Sequence, residues 1–171
     1  MVIVRWLLLA LGLLALAALW RGPSASNLAR YATVQMSSNC GIVPVYALGP
    51  VEPARLVDGK TDRNYDACTT TEPEPWLLLD LGQQATLDRA VISGRADCCW
   101  AAGTLPLLLE VSEDGRDYEL VRRKRVPFTR DSPWRVSLGH KTARYVRLRV
   151  EPGGDFSEIV LSEVEIYGKR L

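Results

Sequence analysis

Alternation dominates the chain after its first two dozen residues. In Arg144–Val150 (RYVRLRV), Val146, Leu148 and Val150 face one way and Tyr145, Arg147 and Arg149 the other. Ile159–Tyr167 (IVLSEVEIY) alternates as well. This period of two belongs to half-buried β-strands, whose successive side chains point to opposite faces. Six further segments read as short strands: Asn27–Ser38, Trp76–Leu81, Leu87–Arg95, Leu107–Ser112, Tyr118–Arg122 and Trp134–Leu138. Trp76–Leu81 (WLLLDL) is nearly all apolar, which predicts burial on both faces, or nearly so, and Gly82 closes it. In Leu87–Arg95, Val91 and Ile92 are expected in the core. Asp114-Gly115 between two strands predicts a hairpin. Gly139-His140-Lys141 reads as a turn between two others. Asn39–Glu52 carries Pro44 and Pro50 and reads as an irregular loop. Pro53–Asp62 reads as one short helical turn entering a glycine-containing loop. About eight short strands with almost no helical periodicity predict an all-β sandwich or barrel.

Residues 1–26 stand apart from that body. Met1–Trp20 is apolar on all sides with one early charge, Arg5. A basic start before an apolar run fits a secretory signal peptide, and Ser24-Ala25-Ser26 offers small residues for cleavage. A membrane-spanning helix needs about 20 apolar residues, with a range of about 17–25. Val2–Trp20, with Arg5 snorkelling, reaches the low end. Cleaved signal and retained N-terminal anchor, followed by a short spacer, both remain open. Either one places residues 27–171 outside the cytoplasm, membrane-tethered or secreted. Setting residues 1–26 aside leaves 19 basic residues against 20 acidic ones, a formal net charge of −1. That balance excludes a nucleic-acid-binding profile. In an oxidising compartment the four cysteines read as two disulfides.

Three clusters carry chemistry. Arg95-Ala96-Asp97-Cys98-Cys99-Trp100 sets two cysteines side by side. Adjacent Cα atoms lie about 3.8 Å apart, whereas a disulfide prefers about 4.4–6.8 Å. A bond within this pair would force a sharp, strained turn, a feature concentrated at functional sites. The stretch is therefore the expected rim of a ligand site. Asp58, Asp62 and Asp66 fall in one glycine-containing loop, and turns of this kind supply oxygen ligands to calcium, with Glu163 as a further carboxylate. Arg122-Arg123-Lys124-Arg125, with Arg147 and Arg149, reads as a patch for acidic lipid or polysaccharide, or as a solvated strand edge. The one histidine, His140, has no nucleophile elbow or zinc spacing to work with, so the chain is not expected to be an enzyme.

Several short stretches together resemble the discoidin domain, the coagulation factor 5/8 C-type module of the galactose-binding-like sandwiches. They are Asn27-Leu28-Ala29, Ala54–Gly59, Trp76–Gly82, Val111–Gly115, Arg144–Arg147 and Ser162–Gly168, in that order. The resemblance covers about residues 27–168. It implies an eight-stranded jelly-roll sandwich that binds sugars, lipids or proteins through loops at one end, without catalysis. Arg95-Ala96-Asp97-Cys98-Cys99 further resembles the fucose-binding F-type lectins, which implies a vicinal disulfide packed against sugar. Thr70 and Ala102 stand near the positions where those lectins carry a histidine and a second arginine. Arg95 is then the charged anchor, and Trp100 offers a stacking face. Arg95, Asp97, Cys98, Cys99, Trp100 and Thr70 are the implied ligand-binding residues. The same resemblance implies a structural calcium held by the Asp58 and Glu163 side chains and by carbonyl oxygens near Arg55, Lys60, Ala67 and Ser162. Those lectins pair cysteines near positions 68 and 162; Ser162 breaks that pairing here. Of the three possible connectivities, Cys40–Cys68 with Cys98–Cys99 is favoured. The leading expectation is a non-catalytic, extracytoplasmic glycan-recognition module. The alternatives are a protein-interaction or adhesion domain without a small ligand, and binding to an anionic lipid surface.

Overall fold

The computed structural model describes residues 25–40, 52–61, 67–95, 103–129, 132–154 and 156–171. The apolar N-terminal segment lies outside the described residues, and so does the helix expected for it. Among the described residues no helix is long and apolar enough to cross a membrane. The two helices among the described residues are single 3-10 segments, Leu28–Tyr31 and Pro53–Val57.

Among the described residues nine strands build an all-β sandwich: β1 (Ser26–Asn27), β2 (Thr33–Met36), β3 (Ala67–Cys68), β4 (Trp76–Ser93), β5 (Leu107–Ser112), β6 (Glu119–Lys124), β7 (Trp134–Val150), β8 (Val160–Leu161) and β9 (Glu163–Arg170). Two of them serve both layers. In β4 the register against β7 shifts between Asp80 and Ala85, so the strand changes neighbours there. Trp76–Asp80 lies between β2 and the second half of β7, whose other edge carries β5 and then β6. Ala85–Ser93 lies between β9 and the first half of β7, and β1 flanks β9. The β3–β8 pair forms a separate small sheet.

The fold-over has a local cause. Asp80 Oδ1 accepts the Gly82 N–H at 2.8 Å, and Gly82 sits at φ +83°, where a side chain is strained. Opposite, Arg144 clamps both Asp80 oxygens at 2.7 and 2.8 Å. Gly168 lets β9 close on β4, because a β carbon there would collide with Thr86 O. The two layers bury one core, with Leu77, Leu79 and Leu81 on one side meeting Leu87, Ile92 and Ile166 on the other.

Several expectations need correction. The strand expected over Asn27–Ser38 is interrupted, because Asn27 Oδ1 accepts the Ala29 N–H at 3.1 Å and caps a 3-10 turn. Trp76–Leu81 buries one face only: Leu77, Leu79 and Leu81 are buried while Trp76, Leu78 and Asp80 are partly exposed. It also runs on into Leu87–Arg95 as a single bent strand ending at Ser93. Trp134–Leu138 and Arg144–Val150 likewise form one strand. Gly139 and His140, at φ +61° and +58°, make a bulge inside it rather than a turn between two strands. Ile159–Tyr167 divides at Ser162 into β8 and β9, which join different sheets. The Asp114-Gly115 hairpin holds: Asp114 Oδ1 accepts the N–H groups of Arg116 and Asp117, and Gly115 takes φ +77°.

These registers give the sandwich two unlike ends. One carries the tight β4 fold-over and the β5–β6 hairpin. The other collects the chain between β2 and β4, after Ser93, after Lys124 and after Val150. We call them the turn end and the loop end.

Candidate functional site

One short segment organises the loop end. Ser157 exchanges both backbone hydrogen bonds with Glu72, at 2.9 Å each. Ile159 O accepts the Thr69 N–H, and its own N–H goes to Thr69 Oγ1, both at 3.0 Å. Val160–Leu161 pairs with Cys68–Ala67. Ser162 N–H reaches Ser93 O at 3.0 Å, and its hydroxyl donates to Gly94 O at 2.7 Å. Glu163 Oε1 accepts the Gly59 N–H at 3.0 Å. Residues 157–163 thus tie the exit of β4, the acidic loop and the Thr69–Glu72 stretch into one body. Ser157, Ser162 and Glu163 are all buried.

The residues expected at a metal come together. The 3-10 segment Pro53–Val57 begins on a proline suited to its first turn and ends where Gly59 takes φ +80°. Asp58 Oδ1 accepts the Lys60 N–H at 3.0 Å, folding the loop onto its own carboxylate. Glu163 is fully buried beside Gly59. The Arg30 guanidinium closes over this turn, since a β carbon on Gly59 would lie 2.8 Å from Nη1. Arg55 belongs to the segment leading into the turn, while Ala67 pairs with Leu161 next to Ser162. Asp58, Glu163, Arg55, Lys60, Ala67 and Ser162 therefore occupy one neighbourhood. Asp62 and Asp66 lie outside the described residues. Among the described residues no three His, Cys, Asp or Glu side chains gather as a metal group. A site built mostly from carbonyl oxygens does not require such a group. Carboxylate and carbonyl oxygens are the donor type that a hard divalent cation takes.

Of the expected ligand-binding residues, Arg95 and Thr70 are placed. Arg95 stands partly buried, two residues beyond β4. The backbone beneath it is fixed by Ser162 on Gly94 and by Phe128, which a β carbon at Gly94 would meet at 2.7 Å. Asp97, Cys98, Cys99 and Trp100 lie outside the described residues. The chain returns at Gly103 (φ +100°), and Thr104 exchanges bonds with Glu158, donating N–H to its carbonyl at 2.8 Å and accepting its N–H on Oγ1 at 3.0 Å. The cysteine-pair loop thus starts and ends on the 157–163 segment. Thr70 is exposed and bonds to Ser38, on the far side of that segment from Gly94. Cys40 and Cys68 form a disulfide with Cα atoms 5.5 Å apart, the favoured pairing, and Cys40 N–H bonds to Cys68 O at 3.0 Å. Sequence reasoning missed Ser37, Ser38 and Glu72, which form a polar network with Thr70. The hydroxyl-rich runs Ser37-Ser38 and Thr69-Thr70-Thr71 were the available signal.

The profile of the F5/8 type C domain family matches residues 33–163, most of the chain. The chain belongs to this family. No curated protein sequence matches it. Solved structures do. A Streptococcus pneumoniae fucose binding module aligns with TM-score 0.65 and 19% identity over 86% of this chain and 99% of that one. A fucolectin from striped bass (Morone saxatilis) serum gives TM-score 0.67 and 20% identity over 85% of this chain and 50% of that one. A Clostridium perfringens module in complex with GalNAc-β-1,3-galactose gives TM-score 0.63 and 18% identity over 84% of this chain and all of that one. At these identities the likeness concerns the fold.

In this F5/8 type C domain the suspected basic patch is largely consumed. Glu110, buried in the outer face of β5, accepts from Arg147 at 2.8 Å and from Arg149 at 3.0 Å. Arg147 also stacks 3.6 Å from the Tyr118 ring centre, and burial pushes that phenol up from its usual range. Arg123 pairs with Glu151 at 2.8 Å. Lys124 lies over the Phe128 ring, and burial lowers its pKa. Arg147 and Arg149 therefore do not join the Arg122–Arg125 run as one free surface. His140 Nδ1 lies 2.7 Å from Asp88 Oδ1, toward the turn end and away from the loop-end residues.

Proposed function

We propose that this domain is a non-catalytic glycan-recognition module whose site is the loop end around Arg95 and Thr70. The observation that carries this reading is the Ser157–Glu163 segment, which bonds to the base of the Arg95 loop, to the acidic turn and to Thr69–Glu72. Relatives of the same fold are described as binding Lewis b, fucose and GalNAc-galactose, which supports a carbohydrate partner. Arg95 supplies fixed donors to sugar hydroxyls. Asp97, the Cys98-Cys99 pair and Trp100 furnish the rest of the rim. Asp58 and Glu163, with carbonyl oxygens near Arg55, Lys60, Ala67 and Ser162, hold a structural calcium that fixes the loops and takes no part in sugar chemistry. The N-terminal segment exports the domain, either leaving it anchored outside the cytoplasm or being removed.

A glycan array with the purified domain, run with and without chelator, tests the reading. Binding is expected, and Arg95→Ala should weaken it at least tenfold. Silence on every glycan would sink the proposal. Calcium is tested separately: excess calcium should raise the melting temperature and chelator should lower it, because a ligand bound only to the native state stabilises it. An unchanged melting temperature would remove calcium from the account.

A second reading rests on Val126 and Phe156, which are 69% and 78% exposed on loop-end segments. Such residues suit insertion into an anionic lipid surface. Liposome sedimentation that weakens with salt would favour it over sugar binding.

A further inference from the structure

The polar network beside Thr70 has a direction, and that direction selects a ligand. Glu72 is held in place by its paired backbone bonds to Ser157 and by two hydroxyls on one carboxylate oxygen. Ser37 Oγ lies 2.5 Å and Ser38 Oγ 2.7 Å from Glu72 Oε1. A carboxylate only accepts, so both serines must spend their protons on it. For Ser37 the alternative acceptor, Trp76 O, is 3.4 Å away, and its oxygen already accepts the Trp76 N–H at 3.0 Å. With its proton committed, Ser38 Oγ can only accept from Thr70, and it takes the N–H at 3.0 Å and the hydroxyl at 2.9 Å.

Every hydroxyl proton therefore runs inward: Thr70 to Ser38, Ser38 to Glu72, Ser37 to Glu72. What remains uncommitted is the Thr70 Oγ1 lone pairs and Glu72 Oε2, to which no described residue donates. Thr70 is exposed and Glu72 partly so. The disulfide Cys40–Cys68 and the bond from Ser37 N–H to Trp76 O clamp the two segments that carry the network. The acceptors are thus fixed before a ligand arrives, which lowers the ordering cost of binding.

We propose that the Thr70–Glu72 side of the site is an acceptor-only subsite that recognises a glycan bearing a free, protonated amino group. This rests on the glycan-recognition reading above and narrows its ligand class. An ammonium supplies three donors and a positive charge to Thr70 Oγ1 and Glu72 Oε2. A uronate or sulfate brings a charge of the same sign as Glu72, and an N-acetyl group loses both the ammonium's charge and two of its donors.

The test is calorimetric titration of the full chain with glucosamine oligomers, their fully N-acetylated counterparts and galacturonate oligomers, alongside the glycan array. Glucosamine oligomers should bind at least tenfold tighter than either other probe. Glu72→Gln, which keeps the serine contacts but turns the outer atom into a donor, should reduce that affinity at least tenfold without lowering the melting temperature. Three outcomes overturn the inference and leave the glycan reading intact: galacturonate binding as tightly as glucosamine, Glu72→Gln changing nothing, or array hits confined to glycans without a free amine. If no probe binds and the array is silent, the glycan reading fails and this inference with it.

Discussion

The two ends of the sandwich solve opposite problems with the same residue types. At the turn end, carboxylates are spent on the fold. Asp80 holds the Gly82 turn and is clamped by Arg144, and Asp114 is consumed by its own hairpin. These partners pull both carboxyls below the usual aspartate range: for Asp80 the Arg144 bond acts first, against a smaller desolvation effect, and for Asp114 the Arg116 N–H. At the loop end, partly exposed Glu72 is fixed through one oxygen by Ser37 and Ser38, and Glu163 is buried against the Gly59 turn. The difference separates scaffold from site. A carboxylate whose hydrogen bonds close locally makes structure, and one held by its neighbours but left with an outward atom can make recognition.

Substitutions at the turn end should damage stability and leave binding per folded molecule unchanged. The largest effect is expected from Gly168→Ala, whose β carbon would collide with Thr86 O and push β9 away from β4. Overpacking of this kind costs about 1–3 kcal/mol, readable by urea unfolding. A smaller cost would show that β9 shifts freely and that the layers are less tightly coupled than described.

Next comes Asp80→Asn, with an expected loss of about 1–2 kcal/mol at neutral pH for a partly exposed, bidentate ion pair. The sign with pH is fixed by the lowered folded-state pKa. The stabilisation is complete above the unfolded aspartate value, near 3.9, and disappears as pH falls through the lower folded value. Wild type and variant should therefore converge in acid. A gap that persists unchanged at pH 2 would assign the effect to packing rather than charge.

The smallest stability effect belongs to Thr70→Val at the loop end, expected within about 0.5 kcal/mol for an exposed position. The same change removes an outward acceptor and should lower glycan affinity several-fold by calorimetry. Loss of stability without loss of affinity would reverse the roles given to the two ends.

The sequence made the turn end far more legible than the loop end. Alternation placed Val146, Leu148 and Val150 in the core, and Asp114-Gly115 marked its hairpin, because these signals are local and complete within a few residues. Long strands were harder. Gly82 and Gly139 read as strand breaks, yet both lie in strands that bend and continue, since pairing on either side outlasts the local kink. At the loop end, Asp58 and Glu163 stood out as carboxylates suited to calcium, and the family resemblance added the carbonyls around them. Glu163 reaches the acidic turn through the Gly59 N–H, a contact across 104 positions that no local period encodes. Glu72 was missed because nothing near it in sequence reveals that Ser37 and Ser38, more than thirty residues earlier, lie against it.

The central claim is that ligand binds at the loop end. Amide chemical-shift mapping of the isotope-labelled protein with the tightest glycan from the array tests it most directly. The account predicts the largest shifts in Thr69–Glu72, Ser93–Arg95 and Ser157–Glu163, with little change at 81–84 and 113–117. Shifts centred on the β4 fold-over, or on the Arg147–Glu110–Arg149 face, would contradict it.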